Sequence, residues 1–132
     1  MPERLPASVW PLLDGLNFAH VATLLPDGSP QVTPVWVDRE GDLAVRINTA
    51  KGRVKHRNLV RDPRVAISVH DQDDPYSYVQ VRGRAELVEE GAVAHIHALS
   101  HAYFGRDFPL APGEERIIVR VEPERLDVHV RD

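Results

Sequence analysis

Apolar and polar positions alternate with a period of two along much of this chain. That is the mark of strands half-buried in a sheet. Before the first strand, Val9, Leu12, Leu13 and Leu16 fall at helical spacing, which predicts a short amphipathic helix over residues 6–16 ended by Gly15. Residues 17–24 and 30–38 predict two strands joined by Leu25-Pro26-Asp27-Gly28-Ser29, where proline presets one dihedral and Asp-Gly supplies a positive one. After the tight turn Glu40-Gly41-Asp42, Leu43, Val45 and Ile47 alternate with Ala44, Arg46 and Asn48 as a third strand. Val65, Ile67 and Val69 give a fourth. Residues 76–88 give a long fifth, in which Gly83 marks a bend or the close approach of another backbone. A helix over residues 89–104 presents Val93, Ile96 and Leu99 on its apolar side. Residues 116–122 form a sixth strand and, past Pro123, residues 126–130 a short seventh. Short strands, tight turns and few helices predict a mainly β, antiparallel sheet that closes into a barrel to avoid exposed edges. The pattern fixes this class and leaves the topology open.

Pro34 interrupts the second strand. Proline removes a ladder donor, so the strand lies at an edge or breaks there. Such a strand is either a plain edge or one whose free backbone groups meet a ligand.

Charge singles out one segment. Of 16 Lys and Arg, six (Lys51, Arg53, Lys55, Arg57, Arg61 and Arg64) fall within residues 48–64 against one acid, Asp62. The remainder holds 10 basic residues against 19 acidic. The segment follows the third strand, passes Gly52 and reads as a short helix stopped at Asp62-Pro63. A strand that turns into a helix start offers unpaired N–H groups and a positive dipole end, a ready site for phosphate. Asn48 and Thr49 add side-chain donors there, and Arg53 and Lys55 sit in the first turn. The alternative is a solvated basic face, since Arg53, Arg57 and Arg61 are four apart.

The length of 132 residues suits one domain spanning residues 1–132. No cysteine is present, which excludes disulfides and Cys-based metal sites and fits a cytoplasmic protein. No run approaches the ~20 apolar residues of a membrane span, and residues 1–16 do not read as a signal peptide. The net charge of −4 argues against general nucleic-acid binding. His95, His97 and His101 lack a metal-site pattern and a third ligand, so no metal is expected and they read as surface or interface histidines. The acidic loop Asp71, Asp73, Asp74 lacks the glycine and final Glu of a calcium loop. Nucleophile-elbow, dinucleotide and P-loop motifs are absent, and no residue stands out as catalytic.

Several stretches share one resemblance. They are Ala22-Thr23-Leu24 with Pro26-Asp27-Gly28-Ser29-Pro30, Thr33-Pro34-Val35-Trp36, Asn48-Thr49, and Gly52-Arg53-Val54-Lys55-His56-Arg57-Asn58-Leu59. Asp62-Pro63-Arg64-Val65, Val81-Arg82-Gly83-Arg84-Ala85, Tyr103-Phe104-Gly105 and Val121-Glu122-Pro123-Glu124-Arg125 follow in order. The ordered set resembles the split-barrel flavin and deazaflavin proteins related to pyridoxamine 5′-phosphate oxidase. The short length and the Arg53/Lys55 pair look most like the branch that uses the deazaflavin coenzyme F420, with the FMN-binding branch as the alternative. The resemblance implies a six-stranded antiparallel split β-barrel with short flanking helices, and a homodimer with cofactor sites between the chains. It implies cofactor phosphate at Asn48, Thr49, Arg53 and Lys55 with help from the backbone of Val54. The ring would lie against Gln31, Val32 and Thr33 near Ile47, and Tyr76 would reach the site from the partner chain. The closing C-terminal segment of the vitamin-processing oxidases has no counterpart before Asp132, so pyridoxamine phosphate oxidation is not expected. The implied function is an F420-dependent reductase passing hydride to a small conjugated or imine acceptor. An FMN enzyme, a cofactor carrier without turnover, and a small barrel binding an anionic partner through its basic helix are the competing readings.

Overall fold

The structure, a computed structural model, describes residues 2–131. Its strands are β1 (Ala19–Leu24), β2 (Pro30–Val35), β3 (Asp38–Glu40), β4 (Ala44–Ala50), β5 (Arg64–Asp71), β6 (Asp74–Val88) and β7 (Arg116–His129). Its α-helices are α1 (Trp10–Asp14), α2 (Val54–Arg61) and α3 (Ala92–Phe104). All neighbours pair antiparallel, in the order β2-β1-β5-β6-β7-β4-β3.

That order makes the sheet a barrel. β2 and β3 stand at its two ends, yet only Trp36 and Val37 separate them in sequence. Two residues span at most about 7 Å, so the sheet must curl until its ends meet. The closure is incomplete. β3 pairs with Ala44–Arg46 alone, so Ile47 to Ala50 have no strand on that side. β2 likewise pairs only with β1. Two unpaired edges therefore border one seam.

Inward-facing Val21, Val45, Ile47, Ile67, Val69, Val79, Val81, Val119 and Val121 fill the barrel. Leu12 and Leu13 of α1 and Leu59 of α2 enter the same core. Helix α3 packs on β4 and β7. It buries Ala92, His95, Ile96, Leu99 and Ser100, a stripe at helical spacing. With α3 outside and the core inside, β4 is buried on both faces rather than one.

Three expectations need correction. The predicted second strand is two, β2 and β3, broken at Trp36-Val37; with the merger that follows, the count is seven, against the six of the implied barrel. The predicted sixth and seventh strands are one, because Pro123 is absorbed by a bulge opposite Gly83. A Cβ on Gly83 would sit 2.7 Å from the Glu122 carbonyl oxygen, which is the close approach its position implied. Helix α1 ends at Gly15 as expected, where a Cβ would meet the Pro11 carbonyl at 2.6 Å; the left-handed residue that follows is Leu16 (φ 60°). In α3, Val93 is exposed and His95 takes its place on the buried face.

Candidate functional site

The corner where β4 becomes α2 is built against the usual rules for a helix start. Gly52, at φ 88°, turns the chain. Arg53 is the N-cap, and no side chain caps the helix. No acid stands in its first turn. Helices ordinarily place Ser, Thr, Asp or Asn at the cap and acids in the first turn, to satisfy N–H groups and the positive dipole end. Here two cations, Arg53 and Lys55, replace them. Among the described residues, only the Gly52 N–H at this corner finds a side-chain acceptor, His56 Nδ1 at 3.0 Å. Helix α2 is nevertheless firmly seated. Buried Asn58 donates to Thr23 Oγ1 (3.0 Å), and Arg61 donates to Asn58 Oδ1 (2.9 Å) and to the Leu24 carbonyl (3.3 Å).

The six basic residues of this segment separate into two groups. Lys51 pairs with Glu89 and Glu115, Arg61 is anchored as above, and Arg64 pairs with Asp62 at 2.8 Å. Arg53, Lys55 and Arg57 have no acid partner among the described residues. Burial, then the charges of Arg53 and Arg116, hold the Lys55 ammonium below its ordinary pKa. Positive charge at the corner is therefore in excess.

Arg116, which the sequence did not point to, is the third cation of this corner. It starts β7 opposite Ala50 and is 6% exposed. Its Nε donates to Asn48 Oδ1 (2.9 Å), its Nη1 to Glu114 Oε2 (2.8 Å), and its guanidinium lies 4.8 Å from the Phe108 ring centre. Burial pushes its pKa down, against the pull of Glu114. Arg53, Asn48 and Arg116 line a cavity of about 190 Å³ at the seam. Pro34, Val35 and Trp36 form its β2 side, and Ile96, Leu99 and Phe108 its α3 side. Trp36 is fixed by stacking on Tyr103 (5.4 Å) and by edge contacts with Phe104 and Phe108.

Behind Arg116 runs a chain of polar contacts. Asn48 Nδ2 donates to the Ala92 carbonyl and faces His95 Nδ1, each at 3.0 Å. His95 Nε2 lies 3.1 Å from both carboxylate oxygens of Asp38. Arg46 closes the chain with a bidentate grip on Asp38 (3.0 and 2.8 Å). Burial works against ionisation of Asp38, but hydrogen bonds from His95 and Arg46 outweigh it, leaving the carboxyl below its ordinary pKa. His95, expected at the surface or an interface, is thus a buried structural member. His97 accepts from the Phe108 N–H, and His101 contacts Asp107. No group of three metal-ligating side chains occurs among the described residues.

The other expected site residues take varied positions. Asn48 lines the cavity, but both its amide hydrogens are taken, so its side chain has none left for a phosphate. Thr49 and Ile47 are buried and, by alternation, share the inward side of β4 with Val45. Gln31 and Thr33 lie opposite Thr23 and Val21 on the inward side of β2, while Val32 faces outward and is exposed. Thr33 Oγ1 is buried with no hydrogen-bond partner, the one such side-chain atom among the described residues. Val54 opens α2 beside Lys55. Tyr76 is 70% exposed at the start of β6, near Arg131 rather than the corner.

Comparison with known proteins gives a consistent picture. The family model described as "Pyridoxamine 5'-phosphate oxidase" matches residues 5–129. A solved structure named "F420 Reductase" is 35% identical, covering 93% of this chain and 98% of that one, with a TM-score of 0.80. The conserved hypothetical protein Rv2991 of Mycobacterium tuberculosis is 25% identical over 95% of this chain and 84% of its own, with a TM-score of 0.75. General Stress Protein 26 of Bacillus anthracis shares the fold at 16% identity, over 92% of this chain and 91% of its own, with a TM-score of 0.72. With its split barrel and a family match along nearly its whole length, this chain belongs to the pyridoxamine 5′-phosphate oxidase family.

Proposed function

We propose that this chain binds coenzyme F420 at the seam and works as an F420-dependent reductase on a small conjugated or imine acceptor. The observation that carries the reading is the start of α2: an uncapped helix end with no acid and with Arg53 and Lys55 in excess. Such an arrangement is locally unfavourable and becomes favourable once a phosphate sits there. Arg53 grips two oxygens, Lys55 supplies a point charge, and the Val54 N–H adds a backbone donor. The 35% identity to a protein named as an F420 reductase supports deazaflavin over flavin.

The seam suits a flat ring. The open edges of β2 and of Ile47 to Ala50 offer backbone groups to its polar rim, and Thr33 Oγ1 lacks a partner that a ring atom can supply. Trp36 and Phe108 keep water from one side. When bound, the deazaflavin supplies hydride chemistry; the protein holds, orients and shields it. No side chain is assigned as acid or base. In this reading the protein is a homodimer, and Tyr76 of the partner chain completes the site. A second reading, FMN in the same seam, is favoured by the family match itself.

Titration of the purified protein with F420 and FMN side by side tests this. F420 fluorescence is expected to shift on binding, with FMN bound more weakly, and reduced F420 is then consumed when an acceptor is added. Binding without turnover across an acceptor panel makes the protein a carrier. Binding of neither compound removes the reading.

A further inference from the structure

We propose that Arg116 is a further contact, at the seam cavity, for the anionic part of the ligand, aimed by the chain Arg46–Asp38–His95–Asn48. The inference rests on the reading of the corner as a phosphate cradle and names a residue outside the α2 segment.

The direction of every hydrogen bond is determined. Arg116 Nε can only donate, so the Asn48 atom it meets is the carbonyl oxygen, as its 2.9 Å contact with Oδ1 requires. The amide nitrogen of Asn48 then faces the Ala92 carbonyl and His95 Nδ1. Nδ1 must accept, which leaves the proton on Nε2, where it donates to Asp38. Asp38 is itself held by two bonds from Arg46. If Asn48 were reversed, its amide hydrogens would oppose the Arg116 Nε–H and its oxygen would oppose the Ala92 carbonyl. The chain therefore permits one orientation of Asn48, and Asn48 permits one orientation of the guanidinium.

That orientation leaves Arg116 partly unused. Nε and Nη1 are bonded to Asn48 and Glu114, while Nη2 has no partner among the described residues and the side chain lines the cavity beside Arg53. A guanidinium held at two corners loses little further freedom when its third nitrogen binds an anion. Among the described residues Glu114 is its only acid partner, and the field of Arg116 extends to Lys55. Two cations at the cavity, with Lys55 within reach of their charge, thus face one carboxylate.

The test compares two probes in fluorescence titrations: F420, and its chromophore fragment lacking the phosphate and everything beyond it. The wild-type protein is expected to bind F420 more tightly than the fragment. Arg116→Gln is expected to lose roughly ten- to hundredfold in F420 affinity, the range for a charge-assisted hydrogen bond, with fragment affinity nearly unchanged. If Arg116→Gln does not fold, Arg116→Lys reads the same ratio, because lysine keeps the charge and loses the fork. His95→Gln, which keeps a donor for Asp38 and removes the acceptor for Asn48, is expected to lower the ratio by a few-fold. His95→Asn, whose amide oxygen stands near the place of Nδ1, is expected to restore most of it. An unchanged ratio in the Arg116 variants overturns the contact, and so does an equal loss for both probes. Equal ratios in His95→Gln and the wild type overturn the aiming chain. Wild-type protein that does not distinguish F420 from the fragment refutes the phosphate cradle itself, and this inference with it.

Discussion

Two regions of this molecule concentrate positive charge, and they are built differently. At the corner, Arg53 and Arg116 line a cavity of about 190 Å³, and their charges reach Lys55. On the outer sheet face, Arg64, Arg82, Arg84 and Arg125 surround a larger one of about 410 Å³ over Ala22, Leu24 and Ala66. The face has more arginines and more room. Its guanidinium groups stand exposed, and Arg82 lies directly across from Arg125, as Arg64 does from Arg84. Like charges placed so repel modestly, and solvent screens them. Among the described residues no buried polar group holds any of them in place, and Arg64 is tied only to the partly exposed Asp62. The corner has a buried asparagine under its arginine, a seated helix and two open strand edges. A charge cluster becomes a site where buried partners fix its geometry, and cavity size alone is a poor guide to that.

Several substitutions can break this contrast. Lys55→Ala is expected to weaken F420 binding by about 1–3 kcal/mol, the value of a charge-assisted contact. Arg82→Ala is expected to leave the same titration unchanged, and equal losses in the two variants would erase the distinction. Asn58→Ala removes the buried tie between α2 and β1. It is expected to lower stability by about 1–3 kcal/mol, since Thr23 Oγ1 and Arg61 lose their partner. The midpoint of a urea titration reads this directly.

The pH dependence sharpens it further. Lys55 loses its proton below the ordinary 10.5, through burial and then its cationic neighbours. Affinity for an anion is therefore complete at neutral pH and falls as pH rises through the lowered value. The ligand-free protein behaves oppositely: its stability rises from that value up to 10.5, because the unfolded chain still binds the proton there. Parallel binding and melting series across this window check both signs. Arg82→Ala carries the smallest effect, a gain of about 0.2–1 kcal/mol or none, from relief of cross-strand repulsion. Thermal melts at low and high salt would register it.

Local chemistry made much of this legible in the sequence. Pro34 marked an edge strand, Gly83 a close backbone approach, and Gly52 with the following bases a strand-to-helix corner; each depends on residues adjacent in the chain. The break at Trp36-Val37 was hidden because β3 is only three residues long and polar throughout. Pro123 misled because a bulge elsewhere, opposite Gly83, absorbs it. His95 read as a surface residue because its partners, Asp38 and Asn48, stand 57 and 47 positions away. Arg116 was missed for the same reason, with its anchor Asn48 lying 68 positions upstream. Buried polar networks pair residues across the fold and leave no periodic trace. The basic run in turn overstated its own free charge, since Lys51 meets Glu89 from beyond β6.

The most direct measurement is a crystal structure of the protein with F420 bound. The expected result is a phosphate within hydrogen-bond distance of Arg53, Lys55 and the Val54 N–H, with the ring in the seam beside β2. A cofactor lodged between Arg82 and Arg125 on the outer face, with the seam empty, would contradict it.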